Sequence, residues 1–305
     1  MGIDYAELHC HHQFSVLDGS STAEEYCKRA KEIGIETLAI TDHSTLAGHR
    51  EHYNACVKHD IKCILGVELH VAVGSRHDKI SKAKRQDGED NESYYHLVAL
   101  AKNDNGLKNL HEMERLAWTE GFYGKPQVDM ELLDKFGDDL IITSACVSGP
   151  IARNLIKEEN DRAMEWFNNL HGRFGEDFYI ELQDHNEGIA KGLNKKLIEL
   201  ADNNGVKIVA TRDCHHADPK QLWLQEAVLI LNTSPKKNPT PDEMKRRTGS
   251  FLDVFNHLYP DRKMTFEHAE VCLMSADYTN KKFLEQGIER PDLFSNTLEV
   301  AEKIG

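Results

Sequence analysis

Two stretches near the N-terminus, LHCHHQFSVLDG at residues 8–19 and AITDHSTLAG at residues 39–48, decide how the chain folds. In each of them a short run of strand-forming residues ends in side chains that can bind a metal ion. The first run ends in His-Cys-His and the second ends in Asp-His. The same combination recurs further along the chain, and its spacing predicts the architecture.

The recurring unit is a short apolar run, then a polar cluster, then a helical stretch. Seven runs are predicted as strands: Tyr5–His9, Thr37–Thr41, Cys63–Leu69, His96–Lys102, Leu140–Ser144, Phe178–Gln183 and Lys207–Thr211. The predicted helices are Thr22–Ile33, Leu46–His59, Gly106–Trp118, Gly149–Glu158, Asp161–Phe174 and Glu187–Asn203. Alternating strands and helices indicate parallel strands with crossover helices. Seven units favour a closed or nearly closed β/α barrel, with an open α/β sheet as the alternative.

Composition is that of a globular protein, with 40% hydrophobic and 29% charged residues among 305. No apolar run is long enough to span a bilayer, and the N-terminus does not resemble a secretory signal. The seven cysteines form no CxxC pair, which indicates reduced thiols and a cytoplasmic location. The net charge of −14 argues against a protein that binds nucleic acid by itself over a broad surface.

Two polar segments interrupt the pattern. Gly74–Ser93 is charge-rich and is predicted to be an exposed loop. Asn232–Thr248 carries three prolines and a basic cluster, so it is predicted to be a linker or loop. A last helix is predicted at Phe294–Ile304. We therefore expect a barrel at residues 1–231 and an extension at residues 232–305.

Side chains of the kinds that bind metals end five of the predicted strands. They are His9 and His11, Asp42 and His43, Glu68, Cys146, and Asp213 and His215. The C-terminal ends of barrel strands converge on one face, so these side chains should meet in one pocket. Imidazole, carboxylate and thiolate are ligands for zinc, manganese or iron, and several such ions can bind a phosphate ester and activate water. His96 begins its strand instead of ending it, which the pattern does not explain.

Most other histidines are assigned to the surface or the core: His12, His49, His52, His59, His70, His77 and His111. The chain contains no GxSxG, GxxxxGK[ST] or GxGxxG motif. A Cys–His nucleophile built on Cys146 or Cys214 stays open, but it leaves the other strand-end side chains unexplained. Metal-dependent hydrolysis of a phosphate ester is therefore the chemistry that the residues favour.

These motifs resemble those of the polymerase and histidinol phosphatase (PHP) superfamily, in the form found in bacterial-type DNA polymerase III α subunits. The resemblance rests on the two stretches quoted above together with GVELHVA, YYHLVALAKNDNGLKNL, IITSACVSGPIA, YIELQDH and VATRDCHHADPKQLWLQEAVLIL. It runs in order from about residue 5 to residue 231. CLMSADY and NTLEVAEKIG are similar to the stretch that leads into a polymerase palm.

The resemblance implies a distorted seven-stranded (β/α) barrel with two or three divalent metal ions. The implied ligands are His9, His11, Asp18, His43, Glu68, His96, Cys146, Asp213 and His215. Asp18 enters only through the resemblance. Asp42 would orient His43, and these two residues with Asp213 are the expected catalytic residues.

The resemblance also implies 3′→5′ exonuclease proofreading, with a DNA 3′ end as substrate and a polymerase core or other replisome proteins as partners. No membrane partner is expected. Two basic stretches, Arg76–Arg85 and Lys236–Arg247, are candidate DNA contacts. A chain of 305 residues has no room for palm, fingers and thumb. The alternatives are a phosphatase acting on a small molecule such as histidinol phosphate, and an inactive scaffold that docks a polymerase.

Overall fold

A computed structural model of the chain describes residues 3–78, 94–233, 240, 242, 249–262 and 264–305. Six strands form one sheet that curls into a half-barrel, in the order in which they follow one another along the chain. They are β1 (Thr37–Ile40), β2 (Lys62–Ala72), β3 (Tyr94–Ala101), β4 (Leu140–Thr143), β5 (Phe178–Gln183) and β6 (Ile208–Thr211). The predicted α/β class is confirmed, and the sheet has six named strands instead of seven.

Helices connect and cover these strands. Within the described ranges they are α1 (Ala23–Ile33), α2 (His49–His59), α3 (Asp104–Thr119), α4 (Met130–Phe136), α5 (Pro150–Ile156), α6 (Asn160–Phe174), α7 (Asn186–Ile189), α8 (Leu193–Asn204), α9 (Leu222–Thr233), α10 (Phe251–Leu258), α11 (Ala276–Glu285) and α12 (Asp292–Lys303). The predicted helix Glu187–Asn203 is divided between α7 and α8. In the part of the chain that the structure describes, no helix has both the length and the apolar composition that crossing a membrane requires.

Helix α1 begins and ends where its sequence predicts. The Thr22 side chain accepts a hydrogen bond from the Glu25 backbone N–H, and the Glu25 carboxylate accepts one from the Thr22 N–H. This reciprocal pair satisfies two N–H groups that the first turn leaves free. Gly34 ends the helix at φ 79°, in the left-handed region that glycine adopts without strain.

Strand β3 runs antiparallel to both of its neighbours, so the prediction of parallel strands throughout was wrong. Residues 73–78, the described part of the connection from β2, form turns and no helix, and an antiparallel pair needs no crossover helix between its strands. The start of β3 therefore lies beside the end of β2, where His96 is paired with His70. This direction brings His96 to the edge at which the parallel strands end.

The first predicted strand, Tyr5–His9, is extended but is not a regular strand. It forms isolated bridges, from Glu7 to Leu38 on one side and from Cys10 to Cys214 on the other. The Glu7 carboxylate accepts the backbone N–H groups of His9 at 3.1 Å and Arg212 at 3.2 Å. Because a side chain takes these N–H groups, they are lost to a continuous ladder.

The inner face of the sheet is apolar at one end and polar at the other. Ile64, Val98 and Val209 belong to an inner apolar cluster, which α12 completes with Val300 and other residues. Further along the strands, the same alternation of side chains places polar groups on the inner face. Helix α12 therefore shares the barrel core, and the division at residue 231 stays a prediction.

Arg76 is buried and is not available as a DNA contact, contrary to the prediction for Arg76–Arg85. Its guanidinium lies 3.0 Å from Asp129, 3.0 Å from Glu120 and 3.1 Å from Glu131. The rest of that stretch from residue 79, and Lys236–Arg247 apart from residues 240 and 242, lie outside the described residues.

Arg212 joins β6 to the C-terminal segment through a fully buried guanidinium. Its Nη1 lies 2.5 Å from Asp184 Oδ2. Its Nε donates to the carbonyl oxygen of Cys272 at 2.8 Å, and its Nη2 donates to that of Glu270 at 2.5 Å. A buried charge with this many partners fixes the chain immediately before Asp213.

We predict that Arg212→Met lowers the free energy of unfolding by about 3–5 kcal/mol, because it leaves the Asp184 carboxylate buried without its cation. Urea denaturation measures the change. The matched control is Arg290→Met, since the Arg290 ion pairs with Asp202 and Asp292 are solvent-exposed and removing them should cost about 0–1 kcal/mol. Equal losses in the two variants would contradict the role assigned to burial.

Candidate metal centre

The structure brings all nine predicted ligands to one end of the half-barrel, around a cavity of ≈ 310 Å³. They are His9, His11, Asp18, His43, Glu68, His96, Cys146, Asp213 and His215. His9, His11 and Asp18 come from the N-terminal segment and its following loop, and the other six lie on a strand or in the residues that follow one. The predicted convergence of separate strand ends therefore occurs, although metal binding by these residues stays a prediction.

Four side chains form the deepest group, which consists of His9, His11, Glu68 and Asp213. The His9 Nε2 atom lies 3.2 Å from His11 Nε2, 3.4 Å from Glu68 Oε2 and 3.3 Å from Asp213 Oδ1. His11 Nε2 lies 3.1 Å from the same Glu68 oxygen and 3.2 Å from the same Asp213 oxygen. Ligands about 2.0–2.1 Å from a tetrahedral ion are about 3.3–3.4 Å apart, so the spacing fits an ion such as zinc.

Three of the inward-facing atoms are buried and have no hydrogen-bond partner among the residues that the structure describes. They are Glu68 Oε2, Asp213 Oδ1 and His43 Nδ1. His43 Nδ1 is only 3.0 Å from Glu68 Oε2, yet the pair lacks the angle of a hydrogen bond. Buried polar atoms without partners are rare because each costs free energy. A cation among them would satisfy all three, so the residues present fit a divalent metal.

Glu68 also faces a second group through its other oxygen. Glu68 Oε1 lies 3.1 Å from His96 Nδ1 and 3.7 Å from Cys146 Sγ, and the last two atoms are 3.6 Å apart. One carboxylate thus has an oxygen in each group. Glu68 could therefore contribute one oxygen to each group.

Asp18 belongs to a third group at the rim. Its carboxylate lies 3.4 Å from His215 Nε2, 3.5 Å from His11 Nδ1 and 3.6 Å from His43 Nε2. The loop that carries it packs so closely on the preceding turn that a Cβ at Gly19 would lie 2.3 Å from the His12 carbonyl oxygen. Glycine after Asp18 therefore lets the loop fold back over the cavity.

The mutual attraction of these groups changes their pKa values. Burial lowers the pKa of His11, but the carboxylates of Asp213 and Glu68 beside its ring outweigh this effect and raise that pKa to about 10. Burial raises the pKa of Asp213, but His9 and His215 outweigh it and hold that pKa below its usual value. Without metal, the centre therefore retains protons on imidazole at neutral pH.

Glu181 is a residue of the centre that the sequence analysis did not identify. Its Oε1 atom accepts a hydrogen bond from His9 Nδ1 at 2.7 Å, which leaves His9 Nε2 to face the deepest group. Thr211 and Gln183 also donate to Oε1, at 2.5 and 2.9 Å, and Thr143 donates to Oε2. Glu181 lies on the inner face of β5, two residues before Gln183. That position in the strand was the signal in the sequence that could have identified it.

His70 also lies beside the centre, although the sequence analysis assigned it to the surface or core. The His70 ring is 5.4 Å from that of His43 and 5.5 Å from that of His96, and its Nδ1 lies 2.9 Å from Ser44 Oγ. Glu68 and His70 are two residues apart on one strand, as His9 and His11 are in their segment. That spacing could have identified His70.

Among the described residues no hydrogen bond joins Asp42 to the His43 ring, so the orienting role of Asp42 stays a prediction. Its Oδ1 accepts the His12 backbone N–H at 2.5 Å, and its Oδ2 has no hydrogen-bond partner among the described residues. Burial raises the pKa of Asp42 to about 6, against the lowering effect of that hydrogen bond. Adjacent side chains after β1 point in different directions, so only His43 enters the centre.

Comparison with known proteins gives one family and a consistent set of relatives. A family model described as PHP domain matches residues 7–185. The DNA polymerase III subunit alpha of Aquifex aeolicus is 38% identical over 231 residues, which cover 76% of this chain and 20% of that protein. That of Treponema pallidum is 36% identical over 250 residues, covering 82% and 21%. That of Chlamydia muridarum is 33% identical over 326 aligned positions, covering 97% and 24%.

The chain thus spans 20–24% of the length of these relatives. Among solved structures, a protein from Bifidobacterium adolescentis named for metal-dependent phosphoesterase activity is 16% identical, with a TM-score of 0.46 over 70% of this chain and 88% of that one. An amidohydrolase from Chromobacterium violaceum is also 16% identical, with a TM-score of 0.43 over 69% and 87%. Similarity this low supports no statement about the site.

We predict that metal binding releases protons and tightens as the pH rises. With a pKa of about 10 in the metal-free chain, His11 is protonated at pH 7 and must lose its proton to bind an ion. Adding Mn²⁺ to metal-free protein in weakly buffered solution at pH 7 should release about one proton fewer from His11→Ala than from the unmodified chain. The exposed His111→Ala is the control and should release as many protons as the unmodified chain. Identical release from all three would contradict the prediction.

The raised pKa of His11 also determines how the stability of the metal-free chain changes with pH. A raised pKa means that the metal-free folded chain binds the His11 proton more tightly than the unfolded chain does. The stabilisation from His11 is therefore complete below its unfolded pKa of about 6.5 and is lost as the pH rises towards about 10. Urea unfolding of metal-free protein across this range measures it against His11→Ala, which should lack that part of the dependence.

We predict that Glu181→Gln weakens metal binding by about 10–100-fold while the chain stays folded, because the amide holds the His9 ring less firmly than the carboxylate does. Competition with a chelator of known affinity measures the change. Glu176→Gln is the control, since Glu176 is exposed and its side chain is remote from the centre. Unchanged affinity in Glu181→Gln would show that His9 does not depend on this contact.

Proposed function

The chain belongs to the PHP domain family, and from that premise we propose that it is a metal-dependent phosphodiesterase that removes nucleotides from the 3′ end of DNA. The observation that carries the proposal is the convergence of nine donor side chains on one cavity, with buried atoms that lack partners. Every position implied as a ligand carries a residue able to bind metal. This argues against an inactive scaffold, in which no requirement would keep the set complete.

We propose two or three divalent ions, of zinc, manganese or iron. The groups that would hold them are the deepest group, the group of Glu68 Oε1 with His96 and Cys146, and the rim group around Asp18. Ions bound in this way supply Lewis-acid stabilisation of charge on phosphate and lower the pKa of water. A serine or cysteine nucleophile is then not required.

The chain's own residues position these groups. Glu181 fixes the tautomer and orientation of the His9 ring, since it accepts the Nδ1 hydrogen bond. Asp213 follows Arg212, which is held in place by a buried ion pair with Asp184. Asp213 itself has a backbone φ of 49°. This left-handed turn directs its carboxylate into the cavity at the end of β6. We also propose that residues 5–11 act as the seventh strand of a distorted barrel.

The size of the cavity favours binding of a single unit at the end of a substrate. A volume of ≈ 310 Å³ is at the lower end of small-molecule pockets, which are about 300–1,000 Å³. A duplex does not fit, whereas the last nucleotide of a frayed strand or a small phosphate monoester would. Phe266 and Met264 line the mouth and offer apolar surface against which a base could pack.

The choice of DNA over a small molecule rests on the relatives, which are named as DNA polymerase III subunit alpha. We propose that the partner is a polymerase core, which would hold the duplex and deliver the strand. The net charge of −14 supports this division of labour, because the chain alone can neutralise few phosphates. Binding of DNA by the chain alone should be weak and salt-sensitive.

We predict that Asp213→Asn and His11→Ala abolish nucleotide release from a mismatched primer while the fold persists. Asparagine tolerates the left-handed backbone at position 213, so Asp213→Asn removes the charge and keeps the turn. Gel analysis of primer shortening at low ionic strength, with circular dichroism as the folding check, measures the effect. Wild-type activity in either variant would disprove the assigned site.

The substrate is tested by comparison under matched enzyme and metal concentrations. A single-stranded or mismatched 3′ end should be degraded faster than histidinol phosphate is hydrolysed. Rapid phosphate release from histidinol phosphate with no nucleotide release would support a small-molecule phosphatase. No turnover of either substrate by metal-loaded protein would support a scaffold.

A further inference from the structure

A second cluster of metal-binding side chains lies outside the candidate metal centre, where α1, α2 and the start of β2 meet. This Cys–His cluster consists of Cys27, His52, Cys56 and Cys63. It shares no residue with the candidate metal centre. Three of its members are fully buried, and Cys63 is partly exposed, which leaves a route of entry from solvent.

Two distances within the Cys–His cluster match those between the ligands of a tetrahedral thiolate site. Cys27 Sγ lies 3.8 Å from Cys56 Sγ, and Cys56 Sγ lies 3.5 Å from His52 Nε2. The ligand atoms of His52, Cys56 and Cys63 all lie within 4.8 Å of one another. With Zn–S bonds of about 2.3 Å and Zn–N bonds of about 2.0–2.1 Å, ligand atoms stand about 3.8 Å (S to S) and about 3.5–3.6 Å (S to N) apart.

His52 supplies the nitrogen of the Cys–His cluster. Its side chain is fully buried. Its Nε2 atom lies 3.5 Å from Cys56 Sγ and 3.2 Å from the Leu38 carbonyl oxygen, so Nε2 is the nitrogen that faces the thiols. An ion bound through Nε2 would replace the hydrogen bond to Leu38.

Packing alone explains the Cys–His cluster less well. A buried thiol often serves as a small apolar side chain, but an imidazole wedged among thiols has no such role. A disulfide would join two of the thiols and leave His52 without its partner.

We propose that the Cys–His cluster is a structural zinc site that fastens α1 and α2 to the start of β2. With three thiolates and one imidazole it has no open position, as is typical of structural and not catalytic zinc. The ring of His12 lies 5.0 Å from that of His52, and His12 follows the ligand pair His9 and His11 in sequence. The zinc site would therefore stabilise, through the contact of His52 with His12, the segment that carries His9 and His11.

Cobalt substitution in the full-length chain tests the proposal. In Cys146→Ser the candidate metal centre has no thiolate, so any sulfur-to-cobalt charge-transfer absorption must come from another site. We expect one equivalent of Co²⁺ to produce this absorption in the Cys146→Ser chain, and zinc to abolish it. The double variant Cys146→Ser/Cys56→Ser should lose it. The matched control Cys146→Ser/Cys272→Ser should retain it, because Cys272 is a buried cysteine outside the Cys–His cluster.

Alkylation of the unmodified chain provides a check that no substitution can disturb. Zinc should slow the labelling of Cys27, Cys56 and Cys63 relative to chelator-treated protein and leave that of Cys272 unchanged. The proposal is overturned if folded Cys146→Ser shows no charge-transfer absorption, or if the absorption survives Cys56→Ser. It is also overturned if zinc-supplied protein contains a disulfide between Cys27 and Cys56, seen as a loss of two hydrogens in the intact mass.

Discussion

Opposite charges are crowded at one end of the half-barrel in a space that excludes water, and the surrounding structure depends on this constraint. Glu68 and Asp213 are almost fully buried, yet each faces several imidazole nitrogens. Ionised groups in such a place are costly unless oppositely charged partners stand close to them. Protons on the imidazoles or divalent ions must therefore fill the centre, which couples metal binding to proton loss and to stability.

The centre is held by residues that do not themselves face the cavity. Glu181 receives hydrogen bonds from its two neighbouring strands, through Thr143 on β4 and Thr211 on β6, as well as from His9. Its lone pairs are satisfied within the protein, so it can hold the His9 ring in place whether or not an ion is bound. Rings fixed in advance lose less conformational freedom when metal binds, and this supports affinity.

The C-terminal segment packs against the apolar end of the half-barrel and binds the residue that precedes Asp213. Helix α12 packs Val300 and its neighbours against the inner apolar cluster, and Thr297 Oγ1 accepts the Ala6 N–H at 2.9 Å. Arg212 binds carbonyl groups of residues 270 and 272. Residues far beyond the PHP match therefore help to fix the strand that carries Asp213. Sequence motifs and packing do not divide the chain at the same place.

Local sequence determined which strand ends carry metal-binding side chains, because a short apolar run that ends in such side chains is visible in the residues themselves. His9 with His11, and Asp213 with His215, were found in this way. Helix α1 was also predictable, since its capping groups lie within its own sequence. The nine donors were predictable only by adding the family resemblance, through which Asp18 entered.

Tertiary structure alone decided the direction of β3, and with it the reason why a histidine at the start of a strand joins the centre. It also decided that Glu181 holds His9, that Asp42 turns towards His12, and that Arg76 is enclosed by carboxylates instead of facing solvent. Each of these outcomes depends on partners distant in sequence. A residue's type fixes what it can bind, whereas the packing of remote strands fixes which partner comes within reach.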